Sequence, residues 1–408
     1  MNSLQKATYV LAHPLLPIRY WRLRSQLGQL RNERKSLWLF QCDFKGHFSY
    51  LSPYWKEAAK LDDVEVFFFV GNDGQGSTTG YLLEQGVDPA RIVSHYDLVR
   101  LTDWDLYASP TEWGNVFPRN ESATRVQLFH TLADKGLEYG GELTKFDVVV
   151  ASGPIHHEFL EKYVFSRYPR SRERTTVMDI GYAKIDSLFD GTYSRSEVRQ
   201  NLGITSDDVR PLVLYAPNWE DDSALGTYGE SVFEAMVACP DILFVVKLHY
   251  MSLVRPRPRV IRSDVDWNMV LQRYAQYENI KVAFDQDINP YLVAADAMIT
   301  DYGGASLEYL AMNRPIVYLD CPGFFDERGH DVFEKEARRT GHIIDSTDRL
   351  IDTVRDALED DPAIQKVRAE FAAMMLYNPG RAAHIGCRRF REHVKMREAS
   401  VPGARQVR

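Results

Sequence analysis

The sequence predicts an α/β protein made of two consecutive doubly wound domains, each a mostly parallel sheet with helices on both faces. Three observations predict it. From Leu37 onward, short apolar runs that read as buried strands alternate with amphipathic segments and glycine-bearing turns. That βα alternation implies a parallel sheet covered on both sides. The series is interrupted once, by the polar stretch Asp190–Arg210 with its two glycines, and then starts again.

The first strand is Leu37–Phe40, followed by a helix over Tyr54–Leu61, and Val64–Val70 is a second strand that stops at the turn cluster Gly71-Asn72-Asp73-Gly74. Val126–Phe129, Asp147–Ala151 and Thr176–Ile180 continue the first set. Pro211–Tyr215, Ile242–Leu248, Ile280–Phe284, Ala297–Thr300 and Ile316–Leu319 make the second. Pro362–Val394 is helical with a break at Asn378-Pro379-Gly380. Residues 1–36 stand apart, because Arg19, Arg22, Arg24, Arg31, Arg34 and Lys35 face a single acid, Glu33. Tyr20, Trp21, Leu23, Leu27 and Leu30 interleave with these cations at helical spacing, which suits either a helix lying on a membrane surface or one packed on its own domain. The predicted division is therefore a basic amphipathic segment (1–36), a first domain (37–195), a second domain (196–375), and a terminal helix with a basic tail (376–408).

With 408 residues, 45% apolar and 26% charged, the chain is long enough for two or three domains and is neither disordered nor collagenous. Its net charge of −8 argues against a nucleic-acid coat, which would bind by neutralising phosphates. Cys42, Cys239, Cys321 and Cys387 are scattered, with no metal-ligand spacing and no redox pair, so no metal or redox cofactor is expected. His156-His157-Glu158 is not a chelating set, since neighbours on a helix point apart. No apolar run is long enough to span a bilayer, and the start lacks the order of a secretory signal. A cytoplasmic chain is expected.

Ligands of parallel α/β sheets sit beyond the carboxyl ends of the strands. After Ala297–Thr300 come Asp301, Tyr302, Gly303, Gly304 and Ser306, then a helix carrying Glu308. Paired glycines let a backbone approach closely, and a helix start offers free N–H groups to a phosphate or diphosphate. Ser306 would add a hydroxyl, and Glu308 could accept from a ribose diol or simply stabilise the first helical turn. Lys247 and His249 end another strand and can neutralise a departing phosphate. Pro217 and Asn218 follow a third. In the first half, His130 after Val126–Phe129 suits a general base for an alcohol, and Lys135 and Gly136 lie in its loop. Lys45 and His47, after the first strand, face the same side.

In this order, Phe129-His130 with Lys135-Gly136, Gly181-Tyr182-Ala183-Lys184-Ile185-Asp186, Tyr215-Ala216-Pro217-Asn218-Trp219, Lys247-Leu248-His249, and Thr300-Asp301-Tyr302-Gly303-Gly304 before Pro315-Ile316-Val317-Tyr318 resemble motifs of the CDP-glycerol glycerophosphotransferase family of teichoic-acid primases and polymerases. The resemblance implies a GT-B architecture, with an acceptor domain first and a nucleotide-donor domain second. It implies attack of a hydroxyl on a lipid-linked or polymeric acceptor at the β-phosphorus of a CDP-alditol, releasing CMP. His130 would be the base, and His249 with Gly303 and Gly304 would hold the diphosphate, without need of a metal. It also implies work at the inner face of the cell membrane, where residues 19–35 would meet anionic lipid, and a homo-oligomer is compatible with it. The sequence departs from the family at Thr131, Tyr250 and Gly303-Gly304, where the family has Gly, Pro and two serines. The Asp301–Gly304 element with Glu308 also resembles UDP-N-acetylglucosamine 2-epimerases, so an epimerase or glycosyltransferase is the second expectation.

Overall fold

The computed structural model describes residues 15–71, 76–112, 114–130, 132, 141–254, 264–323 and 336–400. Seven strands form the first sheet: β1 (Ser36–Gln41), β2 (Val64–Phe69), β3 (Ile92–Val93), β4 (Leu106–Ser109), β5 (Thr124–Gln127), β6 (Val148–Ala151) and β7 (Thr176–Asp179), in the order β3-β2-β1-β4-β5-β6-β7. Six form the second: β8 (Leu212–Tyr215), β9 (Leu243–Val246), β10 (Ile280–Val282), β11 (Ala297–Thr300), β12 (Ile316–Leu319) and β13 (His342–Ile344), in the order β10-β9-β8-β11-β12-β13. Every pairing is parallel; Leu39 sits opposite Phe67 on one side and Tyr107 on the other, and Met298 between Leu214 and Ile316. The two doubly wound sheets expected from the sequence are both present.

Alternate side chains of each strand go to opposite faces, so each sheet needs two cores. In β1, Trp38 and Phe40 join one core with Phe68, while Leu37 and Leu39 join the other with Phe67 and Phe69. The second sheet divides likewise, Leu214 and Val245 on one face and Val213 and Phe244 on the other. Each such side chain contributes on the order of 1.5–3 kcal/mol of burial free energy, which is why these strands are apolar on both faces.

Three strands escape the sequence reading: β3, β4 and β13. The four residues of β4, Leu-Tyr-Ala-Ser, have little β-branching and end at Pro110, so nothing local marks them. Pairing with β1 and β5 on both edges makes them a strand. Phe284, predicted in β10, lies beyond its end and is 59% exposed. The helix after β1 spans Phe48–Ala58, starting before the expected Tyr54 and carrying Pro53 within it. Asn72, Asp73 and Gly74 of the predicted turn lie outside the described residues.

The amino-terminal helix covers Leu16–Asn32 and packs on its own domain through Leu23, Leu27 and Leu30. Arg31 pins it, with Nη1 3.2 Å from Asp105 and Nη2 donating to the Asp103 carbonyl at 2.9 Å. Trp21 does not share that face. It is 64% exposed, beside exposed Ile18 and Leu15, with the Arg24 guanidinium 5.7 Å from its ring.

The carboxyl end ties the two domains together. Helix Pro362–Met375 completes the second domain with Phe371 and Met375, and helix Ala382–Ser400 returns to the first, burying Ala382, Cys387, Phe390 and Val394. Between them the chain crosses at Gly181, whose φ of +108° and missing side chain are both required, since a Cβ there would lie 2.1 Å from the Tyr377 carbonyl oxygen. Asp186 accepts from the backbone N–H of Ala382 at 3.0 Å and of Ala383 at 2.7 Å, capping the returning helix at its positive end. Asp186→Ala removes both bonds and strands two buried donors; urea unfolding is expected to show a loss of about 2–4 kcal/mol, with Asp186→Asn intermediate.

Candidate active site

The strand order changes direction between β1 and β4 and between β8 and β11, so each sheet opens a crevice at its carboxyl edge there. In the first domain the loops after β1, β4 and β5 meet at this edge. Phe129 has φ of +59°, a left-handed conformation costing on the order of 1–3 kcal/mol for a non-glycine residue. Packing of its buried ring on His156, at 4.6 Å, holds it there. This turn swings His130 back so that its Nδ1 is 3.2 Å from the Pro110 carbonyl after β4, and its ring meets Tyr50 edge-on at 6.2 Å. A carbonyl only accepts, so Nδ1 carries the proton and the lone pair is on Nε2, the tautomer a base requires.

His47 is fully buried in the turn Lys45–His47, its ring centre 3.7 Å from that of Phe44 and tilted by 45°, and its Nδ1 accepts from the Asp43 N–H at 3.2 Å. Burial, with a smaller contribution from nearby His130, lowers its pKa to about 3, so it stays neutral, with its proton on Nε2, a buried atom that meets no hydrogen-bond partner among the described residues. Lys45 lies with its ammonium 5.9 Å from the Tyr81 ring. The loop after β1 is braced by Gln41, which accepts from the Tyr107 hydroxyl and the Val116 N–H and donates to Asp43 at 2.8 Å. Lys135, Gly136 and Thr131 lie outside the described residues. His156 and His157 turn to different partners, Ser152 and Asp179.

In the second domain, Gly303 has φ of +117° and begins helix Gly304–Leu310, its Cα face open toward Asn218, whose Nδ2 would be 3.5 Å from a Cβ there. Gly303, Gly304 and Ala305 stay partly exposed, whereas their neighbours do not. Asp301 is fully buried and accepts from Asn218, Ala224 and Tyr302 N–H groups at 2.6–3.1 Å. Burial pushes its carboxyl up to about 6, against these donors. Asp301 therefore fixes the Pro217–Asn218 loop onto the glycine step, and acts on the expected donor site through that backbone. Pro217 is buried under that loop. The Ser306 hydroxyl donates to the Gly303 carbonyl at 2.8 Å, and the Tyr302 hydroxyl reaches Glu220 at 3.2 Å. Glu308, expected near a ribose diol, has a buried carboxylate that accepts from Lys184 at 2.6 and 2.8 Å.

His249 stands exposed at the end of β9, its Nδ1 accepting from Met251 N–H at 3.3 Å and its ring stacked over Trp219 at 6.1 Å. Lys247 beside it is 8% exposed, and burial, then the like charge of Lys184, lowers its pKa to about 8. The two edges touch where Phe44 of the first domain meets Tyr250 of the second, 6.2 Å between ring centres. Rings thus run without a break from His47 through Phe44 and Tyr250 to His249 and Trp219. Sequence reasoning missed Tyr50, Phe44 and the Pro110 carbonyl, and only the helical interval from His47 to Tyr50 hinted at a shared face. Two cavities lie elsewhere: one of about 900 Å³ beside helix Arg195–Asn201, the other of about 750 Å³ at the amino ends of β8, β9, β11 and β12. Arg195, Asp296 and Arg355 at the second are already in ion pairs.

The sequence profile of the CDP-Glycerol:Poly(glycerophosphate) glycerophosphotransferase family matches residues 39–388. A teichoic acid poly(glycerol phosphate) polymerase of Bacillus spizizenii is 22% identical over 229 residues, 52% of this chain and 51% of the relative. A teichoic acid glycerol-phosphate transferase of Staphylococcus aureus is 23% identical over 241 residues, 56% and 55% of the two chains. The matched region thus spans about half the length of these curated relatives. The structure of the wall teichoic acid polymerase TagF superposes with a TM-score of 0.62 at 14% identity, over 96% of this chain and 98% of that one. A putative UDP-N-acetylglucosamine 2-epimerase from Listeria monocytogenes gives 0.60 at 15% identity, over 89% and 97%. Both share the GT-B type of fold.

The buried histidines give the fold a pH dependence. His47 and His156 both have pKa values lowered to about 3 by burial, so unfolding lets each take a proton at its ordinary 6.5. The unfolded state binds more protons below 6.5, and stability falls as pH drops from there toward 3. Between pH 7 and pH 5 each histidine is expected to cost about 2 kcal/mol of unfolding free energy. Replacing His156 by Asn should remove roughly half of the change in urea midpoint.

Proposed function

Because the chain belongs to the CDP-glycerol:poly(glycerophosphate) glycerophosphotransferase family, we propose that it transfers an alditol phosphate, glycerol phosphate or a close relative, from a CDP-activated donor to a hydroxyl of a lipid-linked or polymeric acceptor. His130 Nε2 takes the hydroxyl proton. The oxygen attacks the β-phosphorus, a new P–O bond forms, and the bond to CMP breaks. The observation that carries this reading is the His130 tautomer, set by the Pro110 carbonyl at the edge of one sheet and turned toward the cleft by the strained Phe129. His249 and Lys247, with the open backbone at Gly303 and Gly304, are assigned to the diphosphate and to the charge that develops on CMP. With Nδ1 accepting from the Met251 N–H, His249 offers its Nε2–H as a donor and Lys247 supplies the charge, and no metal ion is assigned to the step. His47, held neutral by burial, is assigned with Lys45 to the acceptor side. An epimerase reading needs carboxylates beside the sugar, and the tie of Glu308 to Lys184 counts against it.

Among the described residues no helix is long and apolar enough to cross a membrane. We assign the cytoplasmic membrane face as the working place, reached through Leu15, Ile18 and Trp21, which leave the domain surface beside Arg19, Arg22 and Arg24.

Calorimetric titration with CDP-glycerol, CDP-ribitol, CMP and UDP-N-acetylglucosamine tests the donor assignment. Cytidine-selective binding that weakens about tenfold or more in His249→Ala is expected, and uridine-selective binding would move the chain to the epimerase or glycosyltransferase class. His130→Ala should lose about 10²–10⁴-fold in CMP release while donor affinity is kept. Wild-type turnover would remove His130 from the mechanism. Changing Arg19, Arg22 and Arg24 to Gln should reduce co-sedimentation with anionic vesicles, each arginine contributing about 1 kcal/mol at low salt; unchanged sedimentation would count against membrane attachment here.

A further inference from the structure

The segment Gly181–Asp186 contains a charge that the reaction above does not use. Lys184 reaches out of the first half into the second, where its ammonium bonds both Glu308 oxygens at 2.6 and 2.8 Å, and the Tyr182 hydroxyl reaches the same carboxylate at 3.4 Å. Lys184 and Glu308 side chains are only 11% and 3% exposed. The same ammonium lies 5.3 Å from the Tyr50 ring centre, and Tyr50 is the aromatic neighbour of His130. Glu308 sits on the short helix that begins at Gly303-Gly304. One unbroken set of contacts therefore joins the donor-side glycine step to the His130 imidazole: helix, Glu308, Lys184, Tyr50, His130.

We propose that Lys184 is a positioning residue for His130, setting the base through Tyr50 when Glu308 brings the donor domain against it. The proposal rests on the phosphotransfer reading and deepens it. Stability alone is a poor reason for such a pair. Desolvating two charges costs about as much as their attraction returns, and replacing a buried pair by apolar groups of similar size is often neutral. What the pair does supply is geometry, since a charged bond between two domains has one close-packed arrangement whereas an apolar contact has many. Burial acts to lower the Lys184 pKa, and the attraction of Glu308 outweighs it, so the ammonium is held above its ordinary range and stays charged throughout the working pH. Its charge over the Tyr50 face also fixes the orientation of that ring, which meets His130 at right angles.

The test compares the full chain with Lys184→Met, Lys184→Arg and the double variant Lys184→Met with Glu308→Leu. The double variant leaves no stranded charge and is expected to unfold within a few degrees of the wild type. It should nevertheless lose about 30–100-fold in kcat for CDP-glycerol-dependent CMP release, with KM within about threefold, as a misplaced base would give. Lys184→Arg keeps the charge and stacks on Tyr50, and should retain kcat within about threefold. Wild-type kcat in the double variant overturns the proposal, as does a Lys184→Arg enzyme that is well folded and as slow as Lys184→Met. A second readout needs no substrate. The His130 imidazole resonances, assigned by their loss in His130→Gln, should shift in Lys184→Met and stay near the wild-type positions in Lys184→Arg; unchanged resonances in Lys184→Met overturn the proposal. If the wild-type chain releases no CMP, the phosphotransfer reading fails, and these resonances alone decide the role of Lys184.

Discussion

Much of this structure depends on six residues, Gly181–Asp186, being bonded to both halves of the chain at once. Gly181 gives way to the Tyr377 backbone as the chain returns from the second domain. Tyr182 and Lys184 take hold of Glu308, and Asp186 caps the helix that closes the first domain. Asn289, on the helix following β10, adds a bond to the Lys184 carbonyl at 2.6 Å. Two parallel sheets could otherwise hinge freely about one linker, since interdomain surfaces are small. Here the linker is itself a packing element, with Tyr182, Ile185 and Leu188 part of the core on one face of the second sheet. The edges that carry His130 and His249 are thereby set against each other.

The site is built on a second economy, the use of buried acids to hold backbone. Asp105 accepts from the Leu37 N–H at 2.8 Å at the start of β1, and Asp296 from the Leu212 N–H at 2.9 Å at the start of β8. Asp301 gathers the loop after β8 and the helix that follows it. Parallel sheets leave backbone donors at the strand ends unmatched, and a buried carboxylate satisfies several with charge-assisted bonds. Of these three, Asp301 stands at a crevice, whereas Asp105 and Asp296 stand at the opposite, amino ends of the strands. The groups assigned to a ligand there include histidines, lysines and glycines, a set suited to a phosphate-bearing donor.

Reading these residues from the sequence succeeds where chemistry and strand end coincide. His130 and His249 each follow an apolar run directly, so their place at the carboxyl edge follows from the run itself. The glycine pair at Gly303 was legible because no other residue type permits that turn. The protein partners of Asp301 and Glu308 were not legible, for one reason. A carboxylate beside a candidate ligand loop looks the same in sequence whether it binds the ligand or the protein, and its partner, Lys184 or an N–H from another strand, is remote along the chain. Tyr50 was invisible because a helix face that turns toward the other domain carries the same apolar pattern as one that turns inward, and Phe44 because it lies in the irregular loop after β1, where no periodicity marks a buried side.

The sequence by itself determined that there are two doubly wound sheets and where most strands lie, because burial on both faces leaves a local imprint of continuous apolar residues. It also determined which strand ends carry imidazoles, cations and glycines. Tertiary structure alone decided that Leu106–Ser109 is a strand, that Trp21 points away from the domain, and that Asp301 gathers backbone N–H groups. It alone placed Lys184 between Glu308 and Tyr50. These outcomes turn on pairings between residues far apart in the chain, made in a dry interior where a partner's position decides whether a charge binds a ligand or holds the fold.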